Sequence, residues 1–350
     1  MAVELVSKGA QDVYLTGKPE VSFFRQLYKR HSNFVQRTVK LNQIGTLAPN
    51  NEVYIKIPSK GDLLSYFWLD LGSGTVGDSL MGINADDENT CAEFELWIGG
   101  QLVDRQDAFF MVNHWNKYLA DSGAKPSAAS DSGNVLGSNW LPLHFFFCDN
   151  VYLPLVAMQY HEVEIRIKFP NSGNPVNMAN INFYANYVLL DTDERKYFVD
   201  AEHEFLIEQV QKIQYGGNKF DLTFLNHPVK SLHWSNVSAG VISDGIQLYL
   251  NGTEIFGTPM PLKYFNQVQG YYHSDYSNSE LSNKDSKLFM HSFALKASKH
   301  QPTGSCNFSR IDTGALNISV ASGGALNYLY AVNFNIFRVK NGLTGVAFSN

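Results

Sequence analysis

Histidine is abundant enough in this chain to raise the question of a metal site, since ten are present. Zinc sites built from neighbouring ligands use spacings such as H-x-H or H-E-x-x-H, and neither spacing occurs in the sequence. His161 and Glu162 are adjacent in a predicted strand, where successive side chains point to opposite faces and cannot converge on one ion. We therefore predict no metal-binding residue.

Carboxylates and thiols give no catalytic signature either. Asp191 and Asp193 lack the glycine and the distal glutamate of an EF-hand loop, and they are better explained as the start of a helix. A glycosidase needs two carboxyl groups roughly 5–10 Å apart across a cleft, which sequence spacing cannot reveal. No local motif marks Cys148 or Cys306 as a nucleophile rather than a buried thiol. We predict no catalytic residue, no cofactor-binding residue, no cofactor and no enzymatic activity.

The overall composition excludes a disordered chain and argues against a nucleic-acid binder of the usual basic kind. Hydrophobic residues make up 44% of the chain and charged residues 17%, with a formal net charge of −6. The 13% of aromatic residues favours β structure and, together with the low charge, a surface buried against copies of the same chain. The three cysteines form no C-x-x-C pair, which indicates a reducing compartment.

No targeting or membrane-spanning segment is expected. No apolar stretch follows Met1 before charged residues interrupt it. A bilayer-spanning helix needs about 20 apolar residues, and the best candidate, 141–160, is broken by His144, Asp149 and Asn150.

The elements that must carry these residues are mainly strands. Period-2 alternation in 51–57 and 161–169 predicts two strands with one buried face each. A helix is predicted in the opening segment, where Val21, Phe24 and Tyr28 share one stripe, and another is predicted to begin at 190–198. The small and polar stretches 120–139 and 273–287 predict exposed loops that accept insertions.

Two halves of the chain repeat one plan. FELWIGGQLV (94–103) and IQLYLNGTEI (246–255) each predict a hairpin, followed by FFMVNHW (109–115) and LKYFNQV (262–268). Farther on, FYANYVLL (183–190) matches LYAVNFNIF (329–337). Both matches are offset by about 150 residues, one domain length. The sequence therefore predicts an all-β fold of two jelly-roll domains with a few short helices.

A basic segment stands out near the start of this acidic chain. Between residues 18 and 40 a single acid, Glu20, is outnumbered by six basic residues: Lys18, Arg25, Lys29, Arg30, Arg37 and Lys40. A nucleic-acid arm would use them to neutralise phosphates. The apolar stripe instead favours a helix that anchors the first domain and turns Arg25, Lys29 and Arg30 outward.

Six ordered blocks resemble the major capsid proteins of nucleocytoplasmic large DNA viruses, particularly the algal-virus type. The blocks are GAQDVYLTGKPEVSFF (9–24), LPLVAMQYHEVEI (153–165), LDTDERKYF (190–198), HEFLIEQ (203–209), NHPVKSLHW (226–234) and SFALKASKHQPTGSCNFSRIDTGAL (292–316). The chain departs from the family by being short after Trp115 and after SNVSAG (235–240), so the external surface is expected to differ.

The resemblance implies a double jelly roll of two eight-stranded antiparallel β-sandwich domains, with residues 1–195 as the N-terminal region and first jelly roll and 196–350 as the second. It implies a structural major capsid protein whose homotrimers form pseudo-hexagonal capsomers. These would tile an icosahedral shell around an internal membrane and a double-stranded DNA genome. The protein would assemble in the host cytoplasm and reside in the virion.

The implied partners are the other two protomers, neighbouring capsomers, minor capsid proteins and an internal membrane reached through the basic N-terminal segment, with no sequence-specific nucleic acid. A minor capsid paralogue is one alternative. A carbohydrate-binding or carbohydrate-active double jelly roll is the other. Its candidate residues are Trp97, Trp115 and Trp140, which packing explains better.

Overall fold

The computed structural model describes residues 9–25, 28–81, 91–121, 138–148, 151–170, 178–217, 219–236, 245–275, 287–318, 326 and 328–348. Most of the two predicted loops, 120–139 and 273–287, lies outside these residues. The chain forms two units, Met1–Asn33 and Phe34–Asn350.

The described part of the first unit contains one short helix, α1 (Asp12–Thr16), which ends where Gly17 N donates to Val13 O. The predicted helix through Val21, Phe24 and Tyr28 is wrong, because residues 21–25 and 28 are not helical and Phe24 is 98% exposed. A short isolated helix is marginal without tertiary burial of its apolar face.

The second unit begins with eight strands that form two antiparallel four-stranded sheets, in the orders β1-β8-β3-β6 and β2-β7-β4-β5. The strands are β1 (Phe34–Leu41), β2 (Glu52–Ile57), β3 (Leu63–Asp70), β4 (Glu93–Ile98), β5 (Gln101–Asp107), β6 (Trp140–Pro142), β7 (Val163–Lys168) and β8 (Asn182–Leu190). The predicted alternation is confirmed in β2 and β7, whose inward residues are buried.

The rest of the chain repeats this arrangement. The described strands are β9 (His203–Gln214), β10 (Lys219–Asp221), β11 (Pro228–Ser235), β12 (Gln247–Leu250), β13 (Thr253–Glu254), β14 (Leu288–Ser292), β15 (Cys306–Asn307), β16 (Gly314–Asn317), β17 (Tyr328–Lys340) and β18 (Leu343–Val346). One sheet has the order β10-β16-β12-β13, and the other places β17 between β9 and β11, with β14 beyond β11.

The two strand sets therefore share one topology. β9, β17, β11 and β14 follow the order of β1, β8, β3 and β6, and the companion sheets correspond in the same way. Eight antiparallel strands in two facing sheets form a jelly roll, so the predicted double jelly roll is confirmed. We call the strand sets β1–β8 and β9–β18 the first and second barrel.

Short helices occur between the strands. They are α2 (Val76–Leu80), a π-helix (Phe110–Leu119), 3₁₀ turns at Leu155–Ala157 and Phe308–Arg310, α3 (Thr192–Asp200), a second π-helix (Tyr264–Val268) and α4 (Gln269–His273). Helix α3 begins as predicted, with Asp191 as its N-cap. It lies between the two strand sets, and the 195/196 domain boundary stays a prediction. No described helix is long and apolar enough to cross a bilayer.

The predicted hairpins are confirmed in both barrels. β4 and β5 are joined by Gly99 and Gly100, with φ of 60° and 79°, and β12 and β13 by Asn251 and Gly252, with φ of 49° and 76°. Positive φ at both central residues is typical of a type I′ turn, which matches the twist of the strands it joins. Each hairpin is followed by one of the π-helices, which contain most of the repeated segments 109–115 and 262–268.

Another hairpin, β17–β18, links the second barrel to the first. Thr344 N donates to His161 Nδ1 at 3.0 Å, and Tyr160 N donates to the carbonyl oxygen of Gly342 at 3.3 Å. Both contacts join residues on either side of α3. The hairpin therefore holds the two barrels together at one end.

Candidate functional site: the junction of the two barrels

The side chains first considered for metal or acid–base chemistry are engaged in structural contacts. Strand β7 begins at Val163, so the placement of His161 and Glu162 within a strand is wrong. His161 bonds to Thr344, whereas Glu162 pairs with Lys56 at 3.0 Å. Across the described part of the chain, no group of three or more His, Cys, Asp or Glu side chains could hold a metal ion.

Of the thiols considered as nucleophiles, that of Cys306 is less acidic than usual. Cys148 and Cys306 are both partly buried, and burial raises the pKa of the Cys306 thiol. A nucleophilic cysteine needs a lowered pKa. Cys306 instead pairs within the sheet, opposite Val229 of β11.

The three tryptophans weighed as sugar-binding residues pack against protein groups. The Arg166 guanidinium lies 4.0 Å from the ring centre of Trp97. Trp115 stacks on the ring of His144 with a centroid distance of 3.5 Å. Trp140 meets another indole edge-on. These contacts favour packing over carbohydrate recognition.

A group of buried polar side chains lies where the first barrel meets the second. Strand β5 and the π-helix that follows it pack against β9, β11, β14 and β17. Three acids or amides at the end of β5 are buried here: Asp104, Gln106 and Asp107. Buried charges persist only when they are paired or hydrogen-bonded, so their partners define the junction.

Asp104 ties β5 to β9 through the backbone. Its Oδ1 accepts from Val210 N at 3.0 Å, and its Oδ2 accepts from Gln106 Nε2 at 2.6 Å. Gln209 Nε2 donates to the carbonyl oxygen of Val103 beside it. Burial raises the pKa of Asp104 to about 6, against the lowering effect of its hydrogen bonds. Removing these bonds costs more than for an exposed pair, because the carboxylate stays desolvated.

Asp107 forms the charged centre of the junction. Its Oδ2 lies 2.8 Å from Lys212 Nζ and accepts from Tyr330 Oη at 2.9 Å. Its Oδ1 accepts from Phe110 N at 2.8 Å, which satisfies a donor in the first turn of the π-helix. Burial opposes the charge on Lys212, but the Asp107 carboxylate outweighs it and raises the pKa of that ammonium. One carboxylate thus joins β5, the π-helix, β9 and β17.

Two fully buried histidines meet beside this centre. His114, from the π-helix, and His233, from β11, have ring centroids 5.7 Å apart, with Phe110 and Tyr330 also in ring contact. Burial lowers the pKa of His114 well below its usual value, and lowers the pKa of His233 to about 3. Both rings are therefore neutral at physiological pH. Tyr118 completes the cluster by donating to the carbonyl oxygen of Leu288 at 2.8 Å.

A cavity of about 60 Å³ remains between the barrels, with Lys230 and Glu208 paired at 2.6 Å in its lining. Small-molecule sites enclose about 300–1,000 Å³. The cavity is too small for a sugar or a nucleotide. The residues that line it belong to the contact between the two barrels.

The sequence did not single out Asp104, Asp107, Lys212 or Tyr330. In QLVDRQD (101–107) the structure buries adjacent residues at both Val103–Asp104 and Gln106–Asp107, and the sequence of this strand gives no signal of that burial. Their partners lie more than 100 residues away along the chain.

Comparison with family models identifies both parts of the chain. Residues 22–191 match the model described as "Major capsid protein N-terminus". Residues 238–345 match "Large eukaryotic DNA virus major capsid protein".

Curated relatives match along nearly the whole chain. The major capsid protein of Pyramimonas orientalis virus is 33% identical, and the alignment covers 99% of each chain. The major capsid protein of Paramecium bursaria Chlorella virus 1 is 27% identical, again over 99% of each.

Solved structures show the same fold. The crystal structure of PBCV-1 VP54 superposes with a TM-score of 0.74 at 25% identity, covering 94% of this chain and 100% of that one. The Faustovirus major capsid protein gives a TM-score of 0.65 at 11% identity, covering 95% and 94%.

Proposed function

This chain belongs to the major capsid protein family of large eukaryotic DNA viruses, and from that premise we propose that it works as a trimeric capsomer without catalysis. Three copies would bring together six similar barrels and fill a near-hexagonal tile. Such capsomers would contact their neighbours and minor capsid proteins around a membrane and a double-stranded DNA genome.

One observation carries the proposal, namely that both barrels have the same strand order and are joined by a buried junction. Two like barrels held at a fixed angle are a repeating unit, and cyclic closure of three such chains needs no further element. The Asp107 centre fixes this angle, because a single carboxylate bonds to both barrels.

Light scattering coupled to size exclusion tests the trimer. We expect a mass of about 118 kDa, three times the 39.3 kDa chain, at micromolar concentration. Electron microscopy of the same sample should show near-hexagonal particles. A stable monomer of 39.3 kDa would overturn the capsomer proposal.

We further propose that the basic N-terminal segment contacts anionic lipid or acidic partner proteins. Arg25, Lys29 and Arg30 are exposed in the described part of that segment, next to the exposed rings of Phe24 and Tyr28. Basic and aromatic side chains together favour the surface of an anionic membrane.

Replacement of Arg25, Lys29 and Arg30 by Gln should leave the trimer intact and reduce its binding to vesicles containing phosphatidylserine. A matched control replaces three exposed basic residues elsewhere, Lys60, Lys168 and Arg310. Equal vesicle binding by both triple variants would refute the membrane contact. It would leave the trimer proposal untouched.

A further inference from the structure

The outer face of one sheet in the second barrel is covered by the first barrel. Across β9, β17, β11 and β14 the hydrogen-bond register aligns a row of four residues: Lys212, Tyr330, His233 and Met290. Tyr330 is 1% exposed and His233 is fully buried. What covers them is β5 and the π-helix described above.

The corresponding row in the first barrel is open. Across β1, β8, β3 and β6 the register aligns Lys40, Tyr184, Trp68 and Pro142. The first two positions of the rows match, a lysine and then a tyrosine, whereas the third and fourth positions differ in residue type. In the first barrel Lys40 is exposed and the other three are only partly buried. The row continues into Tyr66, which is 39% exposed, and Trp140, which meets Trp68 edge-on.

The helices show the converse difference. In the first barrel, one face of the π-helix carries Phe110, His114 and Tyr118, and all three are buried. The sequence repeat aligns FFMVNHW (109–115) with LKYFNQV (262–268), and its continuation places three exposed residues at the same positions: Lys263, Gln267 and Tyr271. Beside them Val268 and Tyr272 are also exposed, and Tyr271 is 70% exposed.

Within the chain, the helical face of the first barrel is buried against the sheet face of the second barrel. The corresponding sheet face of the first barrel and helical face of the second barrel are both exposed. We propose that the helical face of the second barrel (Lys263, Gln267, Val268, Tyr271 and Tyr272) docks on the outer sheet face of the first barrel (Lys40, Tyr66, Trp68, Trp140 and Tyr184) of a second copy of this chain. This inference rests on the proposed trimer and names the surfaces that close it.

A ring in which all six barrels are equivalently placed would produce this arrangement. In a head-to-tail ring the same two patches meet at every boundary between copies. If six barrels surround one axis, the contact between chains repeats the contact within the chain. The open faces are rich in tyrosine and tryptophan, the residue types enriched in protein interfaces. Gly270 lies against Tyr118, with an added Cβ 3.3 Å from that ring, so the open helical face borders the closed junction.

Two double variants test the surfaces. The helix variant is Gln267→Arg with Tyr271→Arg, and the sheet variant is Lys40→Glu with Tyr66→Arg. All four side chains are exposed within the protomer, so each variant should keep the circular dichroism spectrum of the wild type. We expect each to lose the trimer and to run at 39.3 kDa in light scattering. The control Phe224→Arg changes a side chain that is 75% exposed outside both faces and should remain trimeric.

Mixing the two variants gives a sharper result. The intact helical face of the sheet variant can still dock on the intact sheet of the helix variant, but no further chain can add. We expect a 1:1 dimer of about 79 kDa, twice the chain mass, and no trimer. A Gln267→Cys, Tyr184→Cys chain provides a second measurement, because the corresponding pair His114 and Tyr330 has ring centroids 5.6 Å apart. Oxidation should link copies into covalent trimers.

The outcomes separate the two proposals. A trimeric wild type with trimeric helix and sheet variants would overturn the docking surfaces and leave the trimer standing. The same conclusion would follow if the cysteine pair formed no links between copies. A monomeric wild type would overturn both.

Discussion

Acidification should weaken the junction through His114, and replacing this residue by Leu should remove that part of the loss. Burial lowers the pKa of His114 well below its usual value, so the unfolded chain binds a proton near pH 6.5 that the folded chain does not bind. Stability then falls as pH falls, by about 1.4 kcal/mol per pH unit for each such group. Between pH 6.5 and 4.5 this amounts to at most about 2.3 kcal/mol for His114 alone, because half of the unfolded rings are already protonated at pH 6.5.

Other buried groups also act over this interval. The pKa values of His233 and His291, lowered by burial to about 3 and about 4, add losses in the same direction. Asp104 acts in the opposite direction, because its folded pKa of about 6 lies above its unfolded value. Its protonation below pH 6 recovers roughly 2 kcal/mol by pH 4.5. The comparison with a single variant isolates the His114 contribution from these terms.

His114→Leu suits this test because the ring makes no hydrogen bond that the substitution would remove. Neither ring nitrogen has a hydrogen-bond partner within the described part of the chain, and Leu is close to His in volume. At pH 6.5 the variant should therefore differ from the wild type by less than about 1.5 kcal/mol. By pH 4.5 it should have gained up to about 2.3 kcal/mol relative to the wild type.

Urea unfolding followed by tryptophan fluorescence measures both curves. Protein concentration must be held constant, since assembly adds to apparent stability. His31→Leu is the matched control, because His31 is exposed. If wild type and His114→Leu lose stability in parallel from pH 6.5 to 4.5, His114 does not exclude protons as its burial implies.

Three further results are expected. Gly99→Ala should destabilise the chain by about 1–3 kcal/mol more than Gly100→Ala. A Cβ added at Gly99 would lie 2.5 Å from His161 Nδ1, whereas a Cβ added at Gly100 would have no surrounding atom within 4 Å. Equal melting temperatures of the two variants would contradict this. Tyr330→Phe should cost about 1.5–3 kcal/mol, the range for a hydrogen bond to a charged group, since it removes the bond to Asp107; an unchanged urea midpoint would show that the bond contributes nothing. EDTA and thiol reagents should leave the melting temperature of the assembly unchanged, because we assign neither a metal nor a disulfide a structural role; a loss of several degrees would reveal a missed site.

The features that could be predicted from sequence are those that depend on neighbours along the chain. The hairpin at Asn251–Gly252 follows from two residues that tolerate positive φ, and the N-cap at Asp191 follows from one side chain and the next amide. The repeat of FYANYVLL (183–190) in LYAVNFNIF (329–337) correctly identified β8 and β17 as equivalent strands of the two barrels.

The failures involve contacts that sequence spacing cannot specify. The stripe Val21, Phe24 and Tyr28 has helical period, but the described residues there form no helix, and periodicity alone does not provide a surface to pack on. The sequence did not reveal the Asp107 centre, because an acidic residue in a strand is normally expected to face solvent. Its partners Lys212 and Tyr330 lie 105 and 223 residues farther along the chain. The register between strands determines which of these side chains become buried, and the register cannot be read from any single segment.

The β17–β18 hairpin has a consequence for the timing of synthesis. Thr344 and His161 are 183 residues apart, and a ribosome adds roughly 5–20 residues per second. His161 is therefore synthesised roughly 10–40 seconds before Thr344, its partner in the hairpin that fastens the two barrels. Throughout that interval the chain has no completed junction, and a nascent chain cannot present both barrels at their final angle. The β17–β18 hairpin is therefore among the last contacts to form, because it needs both barrels to have been synthesised first.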